Sequence, residues 1–204
     1  MNQLKLKQFA LGDLLTNCYL VYNPLSKKGF VIDAPCPLDE VKDFAGKANI
    51  DICFYVLTHA HFDHIGGLSD ICVPFYVHKE DKPFLRKAPL NGSSFFGAPF
   101  IIEREPNVIE TDGIIQFESH ELKTIHTPGH TPGSISVYIG NRLFSGDALF
   151  CRSVGRTDIP LGSHDLLIKS IRDKLLVLPP DTIVYPGHGE STTIGDEAKS
   201  NPYL

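Results

Sequence analysis

Thr58-His59-Ala60-His61-Phe62-Asp63-His64 crowds three imidazoles and a carboxylate into one short run, directly after the apolar stretch Ile52 to Leu57. That stretch is short and bounded by polar groups, which reads as a buried strand. If the chain stays extended through residue 61, His59 and His61 project to the same side, because strand side chains alternate with a period of two. A turn after them brings Asp63 and His64 back to the same place. Zinc takes imidazole nitrogens and carboxylate oxygens in a roughly tetrahedral arrangement. The run holds more donors than one open catalytic cation requires, so the excess points to two adjacent metals. A lone histidine is more often a satisfied polar group; the density is what lifts this run above that reading.

Three more stretches share its format of apolar strand, small or turn residue, then a ligand type. In His126-Thr127-Pro128-Gly129-His130-Thr131-Pro132-Gly133, prolines and glycines force a tight loop after a strand, which suits a ligand presented from a rigid scaffold. His130 is enclosed in the turn and is the stronger ligand candidate. His126 lies at the strand end, where a supporting role and a purely structural one are equally open. Phe144-Ser145-Gly146-Asp147 ends an apolar strand with a carboxylate whose two oxygens can bridge two cations, although alone it reads as readily as a turn aspartate. Tyr185-Pro186-Gly187-His188-Gly189 sets a histidine between glycines after another strand. Active sites of open α/β folds collect at strand ends. Four such motifs together are far more specific than any one.

Around them the chain begins as a β-meander, with strand-like runs at 4–10, 17–22 and 29–33 broken by Asn23-Pro24 and Lys28-Gly29. Leu38, Val41, Phe44 and Ala45 recur at helical spacing within 38–47. Val73 to Val77 reads as a strand and Lys79 to Arg86 as a short helix. Residues 87–100 are rich in proline, glycine, serine and asparagine and read as a loop with an unusually apolar Phe95-Phe96 pair. Strand-like runs return at 113–117, 120–125, 134–139 and 142–145. Ser163 suits the N-cap of an amphipathic helix carrying Leu167, Ile168, Ile171 and Leu175. Asp181 to Tyr185 reads as the last strand and 190–199 as the last helix. No repeat or linker interrupts the chain, so one domain over 1–204 is expected. Its class is α/β, sheets packed together with helices outside.

Composition narrows the partners. A formal net charge of -5 disfavours nucleic acid and anionic membrane surfaces. Cys18, Cys36, Cys53, Cys72 and Cys151 form no C-x-x-C pair, and an odd number without framework spacing fits reduced thiols in a cytosol. Met1-Asn2-Gln3-Leu4-Lys5 opens no long apolar signal segment. A cytoplasmic protein is expected.

With these residues in place, the sequence resembles the metallo-β-lactamase superfamily. The match runs through Thr58 to His64, then His130, Asp147 and His188 in order, over nearly the whole chain. Within it the chain looks most like the glyoxalase II-like group, through residues 126–134, Ser145-Gly146-Asp147 and Tyr185-Pro186-Gly187-His188-Gly189. The resemblance implies a four-layer αββα sandwich with metals at one edge. It implies His59, His61 and His130 on a first metal, Asp63, His64 and His188 on a second, and Asp147 bridging both. Two departures stand out. Glyoxalase II proper continues into a helical region that grips glutathione, whereas this sequence ends at Leu204, so a short form is expected. The segment Ala148 to Asp158 also lacks the lysine- and tyrosine-containing stretch that helps hold glutathione. Its Gly155-Arg156-Thr157-Asp158 piece resembles the persulfide dioxygenases of the same superfamily, which use one iron on the equivalents of His59, His130 and Asp147. Those generally carry alanine before the last histidine and aspartate after it, where this chain has Gly187 and Gly189.

The expected activity is hydrolysis by a hydroxide bridging two divalent metal ions, most simply of an acyl thioester in the manner of a hydroxyacylglutathione hydrolase. Two cations lower the pKa of a shared water from 15.7 towards ~7, one polarises the carbonyl, and Asp63 orients the nucleophile. A thiolate, with a pKa of about 8.5, leaves with little help from an acid. An amide nitrogen would need protonation, which disfavours lactam cleavage. Alternatives are a lactone hydrolase, a mononuclear-iron persulfide dioxygenase, and a non-enzymatic metal-binding module. Zinc is the first expectation for the metal, with iron and manganese open because histidine and aspartate suit all three. Arg152 and Arg156 are candidates for a substrate carboxylate, with an Arg156–Asp158 ion pair as the plainer reading of Arg156. Phe95 and Phe96 either wall the substrate mouth, fill the core or form a dimer contact.

Overall fold

A computed structural model describes residues 4–204; the first three residues of the N-terminal stretch lie outside the described residues. β1 (Lys5–Leu11), β2 (Thr16–Tyr22), β3 (Lys28–Ile32), β4 (Asp51–Val56), β5 (Phe75–His78) and β6 (Asn107–Ile109) form one sheet in that order. The first three strands are an antiparallel meander, and β3 to β6 pair in parallel. Parallel neighbours need a crossover. Between β3 and β4 it is α1 (Asp39–Ala48), which buries Val41 and Ala45 and closes at Asn49 in the left-handed conformation (φ 53°).

The second sheet takes β7 (Gly113–Phe117), β8 (His120–His126), β9 (Ile135–Ile139) and β10 (Arg142–Gly146) as an antiparallel run. A small hairpin of β11 (Leu149–Phe150) and β12 (Ser153–Val154) follows. β13 (Ile183–Pro186) then adds in parallel beside β10, and β14 (Thr192–Thr193) closes the edge. The remaining helices are α2 (Phe62–Ile65), α3 (Lys82–Leu85), α4 (Ala88–Asn91), α5 (His164–Ser170) and α6 (Ile194–Ser200).

Period-two alternation sorts the strand residues into layers. In β2, Leu20 joins Val31, Leu57, Val77 and α1's Val41 on the outer face of the first sheet, while Tyr19 and Val21 turn the other way. Between the sheets Tyr19, Phe30, Phe54, Phe117, Val137 and Phe144 form the central layer. Phe30 stacks on Phe54 at 5.5 Å, and Tyr19 meets Phe144 at 5.2 Å. Such aromatic pairs contribute about 0.5–1.5 kcal/mol beyond burial. Leu143, Val184, Leu167, Ile171 and Ile194 pack α5 and α6 on the far face of the second sheet. The architecture is the expected αββα sandwich.

Local expectations needed four corrections. Residues 87–100 contain α4 and a 3-10 turn over Ser93–Phe96, not plain loop, because four-residue helices are too short to show periodicity. β6 and the β11–β12 hairpin were not anticipated; strands of two or three residues carry no alternation to read. β13 is not the last strand, since β14 takes the residues expected to begin the final helix. The expected single helix is α5 followed by a π-helical turn over Ile171–Leu175, and on their shared face Leu167, Ile171 and Leu175 are buried while Ile168 is only half-buried. Among the described residues no helix is long and apolar enough to cross a membrane.

Candidate functional site

Loops from the C-terminal ends of β3, β4, β5, β8, β10 and β13 meet at one edge of the sandwich. Beyond β4 the chain stays extended to His61 (ψ 153°), and the single turn of α2 then folds Asp63 and His64 back. A register shift between Phe144 and Gly146, with Gly146 at φ 52°, re-aims the chain so that Asp147 enters the same space. The seven residues expected from sequence converge in overlapping groups. Donor atoms of His59, His61 and His130 lie within 4.8 Å of one another, as do those of His59, His64 and Asp147, and those of Asp63, His64 and His188. Four of the seven come from the first sheet and three from the second.

The rings are turned so that one nitrogen of each faces inward. His130 Nδ1 donates to the Arg156 carbonyl at 2.8 Å, and His188 Nδ1 to the Leu14 carbonyl at 3.2 Å. His64 Nδ1 donates to Asp33 Oδ2 at 2.8 Å. The Thr58 hydroxyl donates to Asp33 Oδ2 and lies 3.2 Å from His59 Nδ1. Fixing the outer nitrogen in this way aims the inner one at the cluster. His130 Nε2 then sits 3.2 Å from His59 Nε2 and 2.9 Å from His61 Nδ1. At those separations a proton or a cation must lie between the facing nitrogens. On the other side His64 Nε2 and Asp147 Oδ1, 3.5 Å apart, are both buried without a hydrogen-bond partner. Asp63 Oδ2 lies 3.2 Å from His188 Nε2 and accepts from the Thr16 hydroxyl at 2.8 Å. Imidazole and carboxylate donors of this kind fit divalent cations.

Residues 11–188 match the sequence profile of the metallo-beta-lactamase superfamily. The chain belongs to that superfamily. Among its relatives, hydroxyacylglutathione hydrolase GloC of Haemophilus influenzae is 34% identical, over 92% of each chain. The crystal structure of the B3 metallo-beta-lactamase BLEG-1 superposes with a TM-score of 0.93 at 38% identity, covering 98% of this chain and 99% of that one. Another solved structure, of a protein in a di-iron-bound form, has a TM-score of 0.85 at 33% identity, covering 97% of this chain and all (100%) of that one. GloC and BLEG-1 carry different activity names, so the superfamily is shared while the reaction is not fixed by likeness.

In this superfamily member the electrostatics divide the site. Burial first, then the neighbouring imidazoles, hold His59 well below the ordinary histidine range. Burial likewise lowers His61 and His130. Neutral imidazole is the form that binds cations. Burial also works against protonation of His64, but Asp63, Asp33 and Asp147 outweigh it and push its pKa up to about 10. Burial raises Asp63, yet His64, His188 and Thr16 hold its carboxyl well below the usual carboxylate range. A cation taking His64 Nε2 therefore displaces a proton.

The other expected residues fall differently. His126 is not in the cluster: its ring stacks on His78 at 4.0 Å and its Nε2 lies 2.8 Å from the Pro132 carbonyl. Arg156 is exposed and forms a bidentate pair with Asp158 at 2.8 and 2.9 Å. This ion pair is the plainer of the two readings considered for Arg156, and its backbone carbonyl accepts from His130. Arg152 is exposed at φ 55°, its amide held by the buried Glu197 carboxylate at 2.9 Å. Phe95 and Phe96 are exposed, not core, and Phe96 stacks on Phe62 of the histidine run at 4.4 Å. Asp33, Asp81, Thr16 and Asn17 were not singled out from sequence. Asn17 donates its side-chain amide to the Pro186 and Gly189 carbonyls at 3.0 and 2.9 Å, bracketing His188. Asp33 did carry a signal, since it too is an acid at the end of an apolar strand.

Proposed function

We propose that this chain is a dinuclear metallo-hydrolase cleaving an acyl thioester, the reading that the glyoxalase II-like motifs and the hydroxyacylglutathione hydrolase relative favour. The observation that carries it is the pair of buried, unpartnered atoms, His64 Nε2 and Asp147 Oδ1, at the junction of the three donor groups. His59 Nε2, His61 Nδ1 and His130 Nε2 would hold one cation. Asp63, His64 and His188 would hold the other, with Asp147 between them. Zinc is the metal proposed, and the di-iron form of a relative supports iron equally. Bound there, two divalent cations lower the pKa of a shared water towards ~7 and polarise a carbonyl oxygen.

The chain's own residues supply the rest. Asp63, steadied by Thr16, offers an oxygen that orients the attacking nucleophile. No further acid faces the cluster among the donors described, which suits a thiolate that leaves unprotonated. Leu14 and Leu15, exposed beside His188, and the Phe62–Phe96 stack beside His61 give the mouth apolar edges. Arg152, exposed and without an ion pair among the described residues, is the cation proposed to meet a substrate carboxylate. One domain, a small-molecule partner and a cytoplasmic setting complete the reading.

Metal analysis of protein from metal-balanced growth, paired with a thioester, lactone and persulfide screen, tests it. Two cations per chain with metal-dependent thioester turnover are expected. One iron per chain with sulfide-dependent oxygen uptake would establish the oxidoreductase alternative instead. Phe96→Ala is expected to raise KM for the best thioester by about 3–10-fold, the worth of one aromatic contact. kcat and the melting temperature should hold, because the ring is 62% exposed. An unchanged KM would remove Phe96 from the substrate mouth.

A further inference from the structure

We infer that Asp81 is a positioning residue dedicated to the first cation position, that of His59, His61 and His130. Asp81 occupies the N-cap of α3, where an aspartate ordinarily accepts from the first amides of its own helix. Its side chain makes no such bond. Although fully buried (0% exposed), it reaches away from the helix to two other loops. Oδ2 accepts the Ala60 amide at 2.9 Å and the Thr131 hydroxyl at 2.8 Å. Oδ1 accepts the Gly133 amide at 2.7 Å.

Ala60 lies between His59 and His61, and Thr131 and Gly133 follow directly on His130. One carboxylate therefore ties the first-sheet loop bearing two imidazoles to the second-sheet loop bearing the third. Gly133 fits only because it lacks a side chain, since a Cβ there would come within 2.6 Å of Asp81 Oδ1. None of Asp81's bonds reaches Asp63, His64, Asp147 or His188. Asp33 does the corresponding work for His64. Asp33 also holds Thr58, whose hydroxyl lies 3.2 Å from His59 Nδ1, so Asp33 serves both positions while the bonds of Asp81 stay with the loops of the first. A carboxylate left in the interior is costly unless its oxygens are satisfied, and here all three donors come from the loops that it joins.

This inference rests on the metal-binding reading above. Stepwise titration of metal-free protein with zinc, in competition with a chromophoric chelator, tests it in wild type, Asp81→Asn and Thr131→Val. In Asp81→Asn one equivalent is expected to weaken by about 10–100-fold, the usual effect of removing a group that supports metal ligands, while the other stays within about twofold. Thr131→Val, which removes one donor and leaves Asp81 two, should weaken the same equivalent by a smaller factor and covers the case in which Asp81→Asn does not fold. Cobalt substitution adds an absorption signature that reports which site is perturbed. Equal weakening of both equivalents, or no change in either variant, overturns the inference. If wild type takes one equivalent only, the dinuclear reading falls. The Asp81 inference then still requires that single equivalent to weaken in both variants.

Discussion

A single methyl group at position 187 is expected to lower affinity for the second cation by about 100-fold, the upper end for groups that support metal ligands. Thioester turnover should fall with it. Gly187 sits against the junction of the donor groups. A Cβ added there would press into Asp147 Oδ1 and come within 2.9 Å of His64 Cε1. The backbone cannot retreat, because the Gly187 amide donates to the Gly146 carbonyl at 2.8 Å while its own carbonyl accepts from the Asn17 amide at 2.7 Å. Asp147 must rotate away, and the carboxylate proposed to join the two cations is lost. Gly189→Ala is the control. Its Cβ would meet nothing within 4 Å, so it carries only the strain of φ 76°, about 1–2 kcal/mol. Metal content and kcat/KM of the two variants decide the matter: a Gly187→Ala protein that keeps two cations and full turnover would refute the arrangement.

Asp33→Asn should be the most destabilising conservative change. Asp33 is buried at φ 61°, a conformation that aspartate and asparagine tolerate. Its oxygens accept the Thr58 amide at 2.7 Å, the Thr58 hydroxyl at 2.8 Å and His64 Nδ1–H at 2.8 Å. Asparagine keeps the shape but turns an NH2 towards a donor and strips the charge facing His64. Breaking one partner from a buried pair costs about 3–5 kcal/mol. At roughly 2–4 °C per kcal/mol for a chain of this size, the melting temperature should fall by about 10 °C. In metal-free protein the loss depends on pH. The folded His64 pKa is raised above its unfolded value of about 6.5. The stability from its pairing is therefore fully present below pH ~6.5 and disappears as pH rises through about 10. Melting curves of metal-free wild type and variant should converge over that window. A constant gap would place the effect in the Thr58 bonds alone.

The ligand-type residues were legible because their signals are local. His59 to His64 lie within one turn of chain, and His130, Asp147 and His188 each follow a strand with a turn residue beside them. The long strands were legible from alternation, and the layers follow from it. What escaped is held by distant partners. Asp33 bonds residues 25 and 31 positions away, Asp81 residues up to 52 positions away, and Asn17 reaches carbonyls 169 and 172 positions away. No spacing rule reads such pairs from one sequence. Arg156 shows the reverse case: its side chain invited a functional reading, while the atom that matters is a backbone oxygen no sequence pattern marks.

Hydrogen bonds from Asp33, Asp81 and Asn17 tie the donor loops of both sheets to one another and to the sandwich through protein groups. On the proposed reading, loading draws on loops that these bonds already tie together. Cations can leave and be replaced without the chain losing its shape. Which metal resides there is then governed by cellular supply and exchange rates, and a shortage would idle the protein rather than expose it to degradation.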